Sequence, residues 1–202
     1  MRVATNATDD YTGAEGGALA EPCDVELSEQ LVAGDVDAFR TVVERFHAPV
    51  GRLAFRLLGW SGDVDDVVQD VFTAAWQGRE GFARGSSVAT WLMGITVNQC
   101  RMRQRWWVRY RRHLAAVWHR PGPLNAAAAE KAVFDQELFE RVRAAVGSLP
   151  VRDREVVVLR YLQELPLDDV AKVLALPVNT VEVRLHRARK RLRPLLNGLL
   201  EE

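Results

Sequence analysis

Arginine side chains are concentrated in two short segments of the 202-residue sequence. Residues 97–120 hold seven arginines and no carboxylate. Near the other end of the chain, with only Glu182 close by, lie Arg184, Arg187, Arg189, Lys190, Arg191 and Arg193. Guanidinium groups bind phosphate through paired, charge-assisted hydrogen bonds. Two separated basic segments therefore predict two contact sites for a polyanion such as a nucleic acid.

The sequence before the first basic segment is acidic. Through residue 96 there are seven arginines and fifteen carboxylates, a net charge of −8, although the whole chain has a net charge of zero. Asp66, Gln69 and Asp70 have the i, i+3 and i+4 spacing that places side chains on one helix face. Such a face can bind arginines of a partner protein. An ordinary solvated helix surface is the alternative interpretation.

Apolar residues recur at helical spacing through most of the first half. Steps of three and four residues predict one helix over residues 38–58 and a second over 63–76. The glycine-rich residues 78–85 predict a loop. Ser86 or Ser87 is suited to cap a long helix that carries the first basic segment.

The second half of the chain predicts four helices, roughly at residues 131–147, 151–163, 166–175 and 178–196. Pro166 suits a first helical position, where its missing N–H is not needed, and Asn179 or Thr180 can cap the last helix. Two short helices joined by a tight turn, the second rich in arginine, are typical of a DNA-binding helix-turn-helix. Since strand signals are essentially absent, the predicted fold is all-α.

The pattern divides this fold into two small helical domains joined by a short linker. Residues 1–26 contain almost no large apolar side chain and are predicted to be disordered. The helical pattern lapses again around Pro121-Gly122-Pro123, which marks a domain boundary. The predicted units are a first helical domain, a linker and a helix-turn-helix domain, at residues 27–118, 119–130 and 131–202.

Three motifs occur in the order in which one protein family carries them. The second conserved region of bacterial sigma factors resembles residues 63–76, DVDDVVQDVFTAAW. The phrase that opens their promoter-reading helix resembles residues 87–98, SVATWLMGITVN. Their fourth region resembles Leu149-Pro150, Arg154-Glu155-Val156 and residues 177–192, PVNTVEVRLHRARKRL. The chain thus resembles an extracytoplasmic-function sigma factor, over roughly residues 28–195.

The resemblance implies a non-catalytic protein that binds core RNA polymerase and directs it to promoters. In the family the acidic helix docks on the clamp helices of the polymerase β′ subunit, and the β subunit is a further partner. By position, the implied polymerase contacts are Asp63, Asp66, Gln69 and Asp70.

The resemblance also implies contacts to the minus-ten promoter element. In the family the loop before the long helix captures a flipped base, and the helix lines the non-template strand. The implied residues are Phe82, Arg84, Ser86, Asn98, Arg101, Arg103 and Arg105. These types suit the role, since arginines hold phosphates and the amide can pair with a base edge. Because Trp106 and Trp107 are adjacent and cannot point the same way on a helix, at least one of them is expected to pack.

For the minus-thirty-five element, the implied contacts are Asn179, Thr180, Glu182, Val183, Arg184, Arg187, Arg189 and Lys190. The sequence departs from a frequent family pattern by carrying Glu182-Val183 where Arg-Ser is common. A carboxylate can accept from a cytosine amino group, and Val183 can contact a thymine methyl group. We therefore expect a minus-thirty-five preference different from the usual one.

The family further implies an anti-sigma protein as regulatory partner. Since no sensor domain is visible in the sequence, control by a separate protein is expected. The alternative interpretation is a helix-turn-helix regulator whose N-terminal helices sense a ligand or dimerise. An enzyme is disfavoured, since the four histidines lack an evident nucleophile partner and no phosphate-binding glycine motif occurs. Cys23 and Cys100 lack metal-site spacing, so no metal, cofactor or small-molecule substrate is expected. With no membrane-spanning run or signal peptide, a cytoplasmic protein is predicted.

Overall fold

Every regular element in the described part of the chain is helical. The structure, a computed structural model, describes residues 24–59, 63–82, 87–115 and 133–197. Its helices are α1 (Asp24–Val32), α2 (Val36–Leu58), α3 (Val64–Gly78), α4 (Val88–Ala115), α5 (Val133–Ser148), α6 (Val151–Val157), α7 (Leu167–Leu174) and α8 (Val178–Leu196). None of these helices combines the length and apolar character needed to cross a bilayer. The predicted all-α fold is confirmed.

In the first half, α2, α3 and α4 pack against one another, and α1 packs on α2. The Asp35 carboxylate begins α2 by accepting from the backbone N–H groups of Asp37 and Ala38, at 2.8 and 3.1 Å. Gly59 ends it in the left-handed conformation, with φ of 73°, and its N–H donates to the Phe55 carbonyl. These caps fix the length of α2, the helix on which α3 and α4 pack.

The long helix α4 belongs to the first half and also contacts the second half. It begins after Ser87, whose hydroxyl accepts from the Thr90 N–H at 3.1 Å, so the predicted serine cap is confirmed at this residue. It packs against α2 and α3 and also against α7 of the second half. Gly94 faces α7, where an added Cβ would lie 3.5 Å from the Val173 carbonyl oxygen. The two helices can therefore approach closely at this position.

In the second half, α6 continues directly into a π-helical turn, Val158–Leu162, and is followed by the helix-turn-helix pair α7 and α8. The predicted bounds of α8, 178–196, are confirmed, but the residues predicted to begin α7 and to cap α8 were wrong. Pro166 precedes α7 as its cap residue, and Pro177, rather than Asn179 or Thr180, precedes α8. Both prolines have extended ψ angles, 154° and 143°, and their carbonyls accept the first helical hydrogen bonds. A proline therefore takes the place of a side-chain cap in each case.

Helix α1 begins at Asp24, three residues before the predicted domain boundary at residue 27. Glu26 lies in its first turn, where a carboxylate interacts favourably with the positive end of the helix dipole. Leu31 then anchors the helix in the core. Residues 1–23 and the predicted linker, 119–130, lie outside the described residues.

Ala175 provides a test of the helix-turn-helix geometry. It ends α7 in the left-handed conformation, with φ of 52° and ψ of 51°, which is unfavourable for a residue with a Cβ. We expect Ala175→Gly to raise the free energy of unfolding by about 0.5–1 kcal/mol, after allowing for the greater freedom of glycine in the unfolded chain. Denaturant titration measures this. Ala144→Gly, on the exposed side of α5, should lower it by about 1 kcal/mol; the same sign in both variants would contradict the assignment.

Candidate functional site

The acidic surface of α3 is exposed as the sequence predicts, with Asp66, Gln69 and Asp70 all accessible to solvent. Asp63 has a different position. It stands immediately before α3 with only 13% of its side chain exposed. Its Oδ2 accepts from the indole Nε1–H of Trp107 at 2.6 Å. Asp63 therefore joins α3 to α4, and little of its carboxylate is left for a protein partner.

Arg103 connects the basic helix α4 to this acidic surface. Its guanidinium lies 3.5 Å from Asp63, 3.5 Å from Asp66 and 3.6 Å from Asp70, measured between nitrogen and carboxylate oxygen. A predicted DNA-binding arginine and three predicted polymerase-binding carboxylates thus form one ion-pair network. To bind a phosphate in full, Arg103 has to leave these carboxylates.

The other predicted minus-ten residues of α4 have two kinds of environment. Asn98 and Arg105 are exposed and accessible to DNA. Arg101 donates to both oxygens of Glu155, from Nε at 2.6 Å and from Nη2 at 2.7 Å, and Glu155 is buried in the second half of the chain. This bond raises the pKa of the Arg101 guanidinium. Arg84 and Ser86 lie outside the described residues.

Phe82 does not have the position expected of a base-contacting residue. Its side chain is buried, with 6% exposed, and its ring meets the edge of the Trp91 ring at a centroid distance of 5.1 Å. In this conformation the ring is not open to a base, so its contact with the minus-ten element stays a prediction. The aromatic side chain belongs to the core because it follows a tight turn, Arg79–Gly81, that directs the chain back onto α4.

Two aromatic side chains near the end of α4 form an exposed stacked pair. Trp106 lies parallel to Tyr110 with ring centroids 4.9 Å apart, and 47% of Trp106 is exposed. Trp107 instead packs edge-on against both rings and bonds Asp63, which confirms that one of the adjacent tryptophans packs. Trp106 and Tyr110 were not among the predicted DNA-binding residues, yet they form an exposed aromatic surface beside Arg105 and Arg109.

Helix α8 presents most of the predicted minus-thirty-five residues to solvent. Thr180 and Arg184 are half-buried, and the exposed residues are Asn179, Glu182, Val183, Arg187, Arg189 and Lys190. Arg187 is also tied to the protein, since it and Arg191 approach the buried Asp153 carboxylate at 3.5 and 2.5 Å. Sequence reasoning did not find Asp153. Its only sequence signal is a carboxylate one turn from the Leu149-Pro150 motif.

Comparisons with known proteins agree with this geometry. The family model described as Sigma-70 region 2 matches residues 42–108, which include the acidic surface of α3 and most of α4. The model described as Sigma-70, region 4 matches residues 139–192, which include the helix-turn-helix.

Similar proteins of known class cover nearly the whole chain. ECF RNA polymerase sigma factor SigM of Mycobacterium tuberculosis (strain ATCC 25618 / H37Rv) is 35% identical over 91% of this chain and 89% of its own length. SigW of Bacillus subtilis (strain 168) is 30% identical over 85% and 95%, and the sigma-E factor of Escherichia coli (strain K12) is 31% identical over 83% and 91%. The chain belongs to the ECF sigma factors of RNA polymerase.

Solved structures support the same fold for this sigma factor. CnrH, solved with the cytosolic domain of CnrY, is 30% identical and superposes with a TM-score of 0.62, covering 87% of this chain and 97% of CnrH. RpoE of Bartonella quintana, solved with the anti-sigma factor NepR, superposes with a TM-score of 0.64 at 22% identity, covering 80% and 98%. As a sigma factor, the protein binds core RNA polymerase and directs it to promoter DNA.

Cys100 of this sigma factor is a buried free thiol between its two halves. It lines a narrow crevice with Val97 and Arg101 of α4 and with Val151 and Glu155 of α6. Burial, and secondly the Glu155 carboxylate, raise the pKa of the Cys100 thiol to about 12. The thiol is therefore expected to stay protonated at any pH where the protein is studied.

This gives a prediction for thiol chemistry. In a Cys23→Ser variant, Cys100 should react with iodoacetamide at pH 8 about a thousandfold more slowly than an unperturbed cysteine, because the thiolate is the nucleophile. Mass spectrometry of timed, quenched samples measures the rate. Denaturing the protein in urea should restore the ordinary rate. Equal rates in the native and denatured protein would contradict the burial of Cys100.

Proposed function

We propose that this sigma factor is a two-domain adaptor with three separate contact surfaces and no catalytic activity of its own. The acidic surface of α3 binds the β′ clamp helices of core polymerase. The α4 helix binds the minus-ten element, and α8 binds the minus-thirty-five element. The observation that carries the proposal is the segregation of charge: exposed carboxylates and an amide on α3, and exposed arginines on α4 and α8.

The assignment to α3 rests on the geometry of its exposed side chains. Asp66 and Asp70 lie one turn apart, with Gln69 beside them, so two carboxylates and an amide can meet arginines of one partner helix. Arg103 occupies this position in the isolated chain, which shows that a guanidinium fits between the carboxylates. We propose that a polymerase arginine takes over part of that role.

The assignments on α4 and α8 use different parts of the two helices. On α4, Asn98 offers its amide to a base, and Arg101, Arg103 and Arg105 bind phosphates. The exposed pair of Trp106 and Tyr110 provides a stacking surface at the end of this segment.

On α8, Glu182 and Val183 face solvent near the helix start, where recognition helices contact base edges. Arg189 and Lys190, one to two turns later, serve as contacts to the backbone phosphates. We assign the polymerase and minus-ten surfaces to residues 27–118 and the minus-thirty-five surface to residues 131–202.

We also propose control by a protein partner in the cytoplasm, where the polymerase and its promoters are found. Similar chains have been solved with such partners, CnrH with the cytosolic domain of CnrY and RpoE with the anti-sigma factor NepR. An anti-sigma factor that covers α3 and α4 would block polymerase and DNA together. If the protein is fully active when it is expressed in cells that lack any neighbouring repressor, this part of the proposal fails.

Run-off transcription tests the proposal as a whole. Core polymerase is supplied with a genomic promoter library, with and without the protein, and transcripts are sequenced. We expect discrete promoters to fire only when the protein is present, and duplex DNA to bind mainly to the holoenzyme. Specific binding of the isolated protein to duplex DNA, without any transcription, would favour a helix-turn-helix regulator instead.

Charge reversal on α3 tests the polymerase assignment. Asp66→Arg and Gln69→Ala should each weaken binding to core polymerase, by about tenfold or more for the charge reversal, which replaces an attraction by a repulsion. Fluorescence titration measures the affinity, and circular dichroism checks that helicity is intact. Glu29→Arg, the same charge change at an exposed residue of α1, is the matched control. Equal affinities for Asp66→Arg and Glu29→Arg would remove the assignment.

Substitutions on α8 separate base recognition from phosphate binding. Glu182→Gln should change discrimination at one base pair of the minus-thirty-five element by about 1–3 kcal/mol. Lys190→Gln should weaken all promoters alike and reduce the slope of log affinity against log salt concentration by about 1. Both the base discrimination and the salt dependence are measured from holoenzyme binding to a randomised minus-thirty-five library at several salt concentrations. Uniform weakening by Glu182→Gln would show that this side chain reads no base.

A further inference from the structure

Arg101 joins the two halves of the chain through an ion pair with a buried carboxylate. It donates two hydrogen bonds to Glu155, whose side chain is only 3% exposed. A carboxylate is rarely buried to this degree unless a cation pairs with it, because the cost of removing it from water is large. The pair therefore favours an arrangement in which α4 and α6 stay together. The same guanidinium is assigned above to a promoter phosphate.

Two further arginines cross between the halves, and each caps a helix end of the other half. Arg56 of α2 donates to the Leu162 carbonyl at the end of the π-helical turn. Arg154 of α6 donates to the Leu57 carbonyl near the end of α2, at 3.1 Å. The last carbonyls of a helix lack partners within the helix and carry partial negative charge. Burial lowers the pKa of both guanidinium groups, so both are substantially removed from water by this contact.

Apolar contacts complete the boundary. The buried side chains of both halves form one connected cluster, which includes Val97 and Cys100 of α4 and Val156 of α6. Helix α7 lies directly on α4 at Gly94. The contact is thus a packed interface that carries specific hydrogen bonds.

This arrangement is incompatible with contact to both promoter elements. Arg101 and Arg105 of α4 and Arg184 of α8 line the same cleft, so the two DNA-reading helices lie close together. The minus-ten and minus-thirty-five elements are separated by about 25 base pairs, or about 85 Å at 3.4 Å per base pair. A compact body of this size is only about 40 Å across. The halves must separate before both elements are bound.

We propose that the isolated chain holds itself in a closed, inactive state through the Arg101–Glu155 pair and the two crossed arginine caps, and that core polymerase binds the open state. Arg101 then exchanges Glu155 for a DNA phosphate, so the contact that closes the protein is consumed when the promoter is bound. This inference rests on the proposed roles of α4 and α8. It adds a control built into the chain itself to the control by an anti-sigma factor.

Two variants that weaken the interface in different ways test the proposal on the full-length protein. Glu155→Gln removes the buried charge but keeps the shape of the side chain. Arg56→Met removes one of the crossed caps. Glu140→Gln, which breaks the Arg143 pair within α5, is the matched control for the loss of a carboxylate.

Three measurements are made on each variant: the radius of gyration by small-angle X-ray scattering, the alkylation rate of Cys100 in the Cys23→Ser background, and the apparent affinity for core polymerase. Removing Glu155 also removes a charge that raises the pKa of Cys100. Removing the Arg56 cation cannot lower that pKa. Faster alkylation in both interface variants therefore reports exposure of the thiol.

We expect both interface variants to have a larger radius of gyration. Cys100 should react roughly 5- to 150-fold faster, and core polymerase should bind more tightly by a similar factor, which is the usual range for coupling between two states. Glu140→Gln should match the wild type.

Unchanged radius and unchanged Cys100 protection in both variants would overturn the closed state. An open protein with unchanged polymerase affinity would overturn its inhibitory role. Failure of the wild type to bind core polymerase at any concentration would instead refute the proposed function, while the scattering data would still decide whether the chain is closed.

Discussion

Three of the arginines that this protein offers to DNA are, in its isolated form, paired with carboxylates of its own. Arg101 is held by Glu155, Arg103 by the carboxylates of the α3 surface, and Arg187 by Asp153. Unpaired guanidinium groups in a packed protein are costly, and carboxylates are equally costly to bury alone. These pairs lie where α4 meets α3, where α8 meets α6 and where the two halves meet, so they help to select these arrangements.

The helical framework carries these pairs because its apolar faces fix the register of each helix. Valines at positions 64, 67, 68 and 71 direct one face of α3 into the core, which leaves Asp66 and Asp70 on the other. On α4, Leu92, Val97 and Cys100 are buried, and the same register brings Arg101 to the boundary with α6. Burial therefore sets the positions, and electrostatics then selects among the arrangements that burial allows.

Much of this could be predicted from the sequence, because it depends on local pattern. Helical spacing gave the helices and the exposed α3 surface, and Ser87 gave the start of α4. The cap residues Pro166 and Pro177 were missed because an extended proline replaces a side-chain cap.

The features that could not be predicted from the sequence depend on contacts between residues distant in sequence. Phe82 lies in a glycine-rich stretch that predicts an exposed loop, but its ring packs against Trp91 and is buried. Nothing in the spacing pairs Arg101 with Glu155, 54 positions away, or Asp153 with Arg191. Family motifs supplied roles for α3, α4 and α8, but they are silent on what those side chains do before a partner arrives.

The zero net charge of the chain acquires a different meaning once these pairs are known. A protein with free arginines gains affinity for DNA by releasing the small ions condensed on the phosphates. Here each paired arginine arrives with a carboxylate that serves as its own counterion, and that carboxylate must be solvated again when the phosphate takes its place. Part of the entropy gained from released salt is therefore offset within the protein. Added salt weakens the internal pairs as well as the DNA contacts, so promoter binding should depend less steeply on ionic strength than the number of its arginines implies.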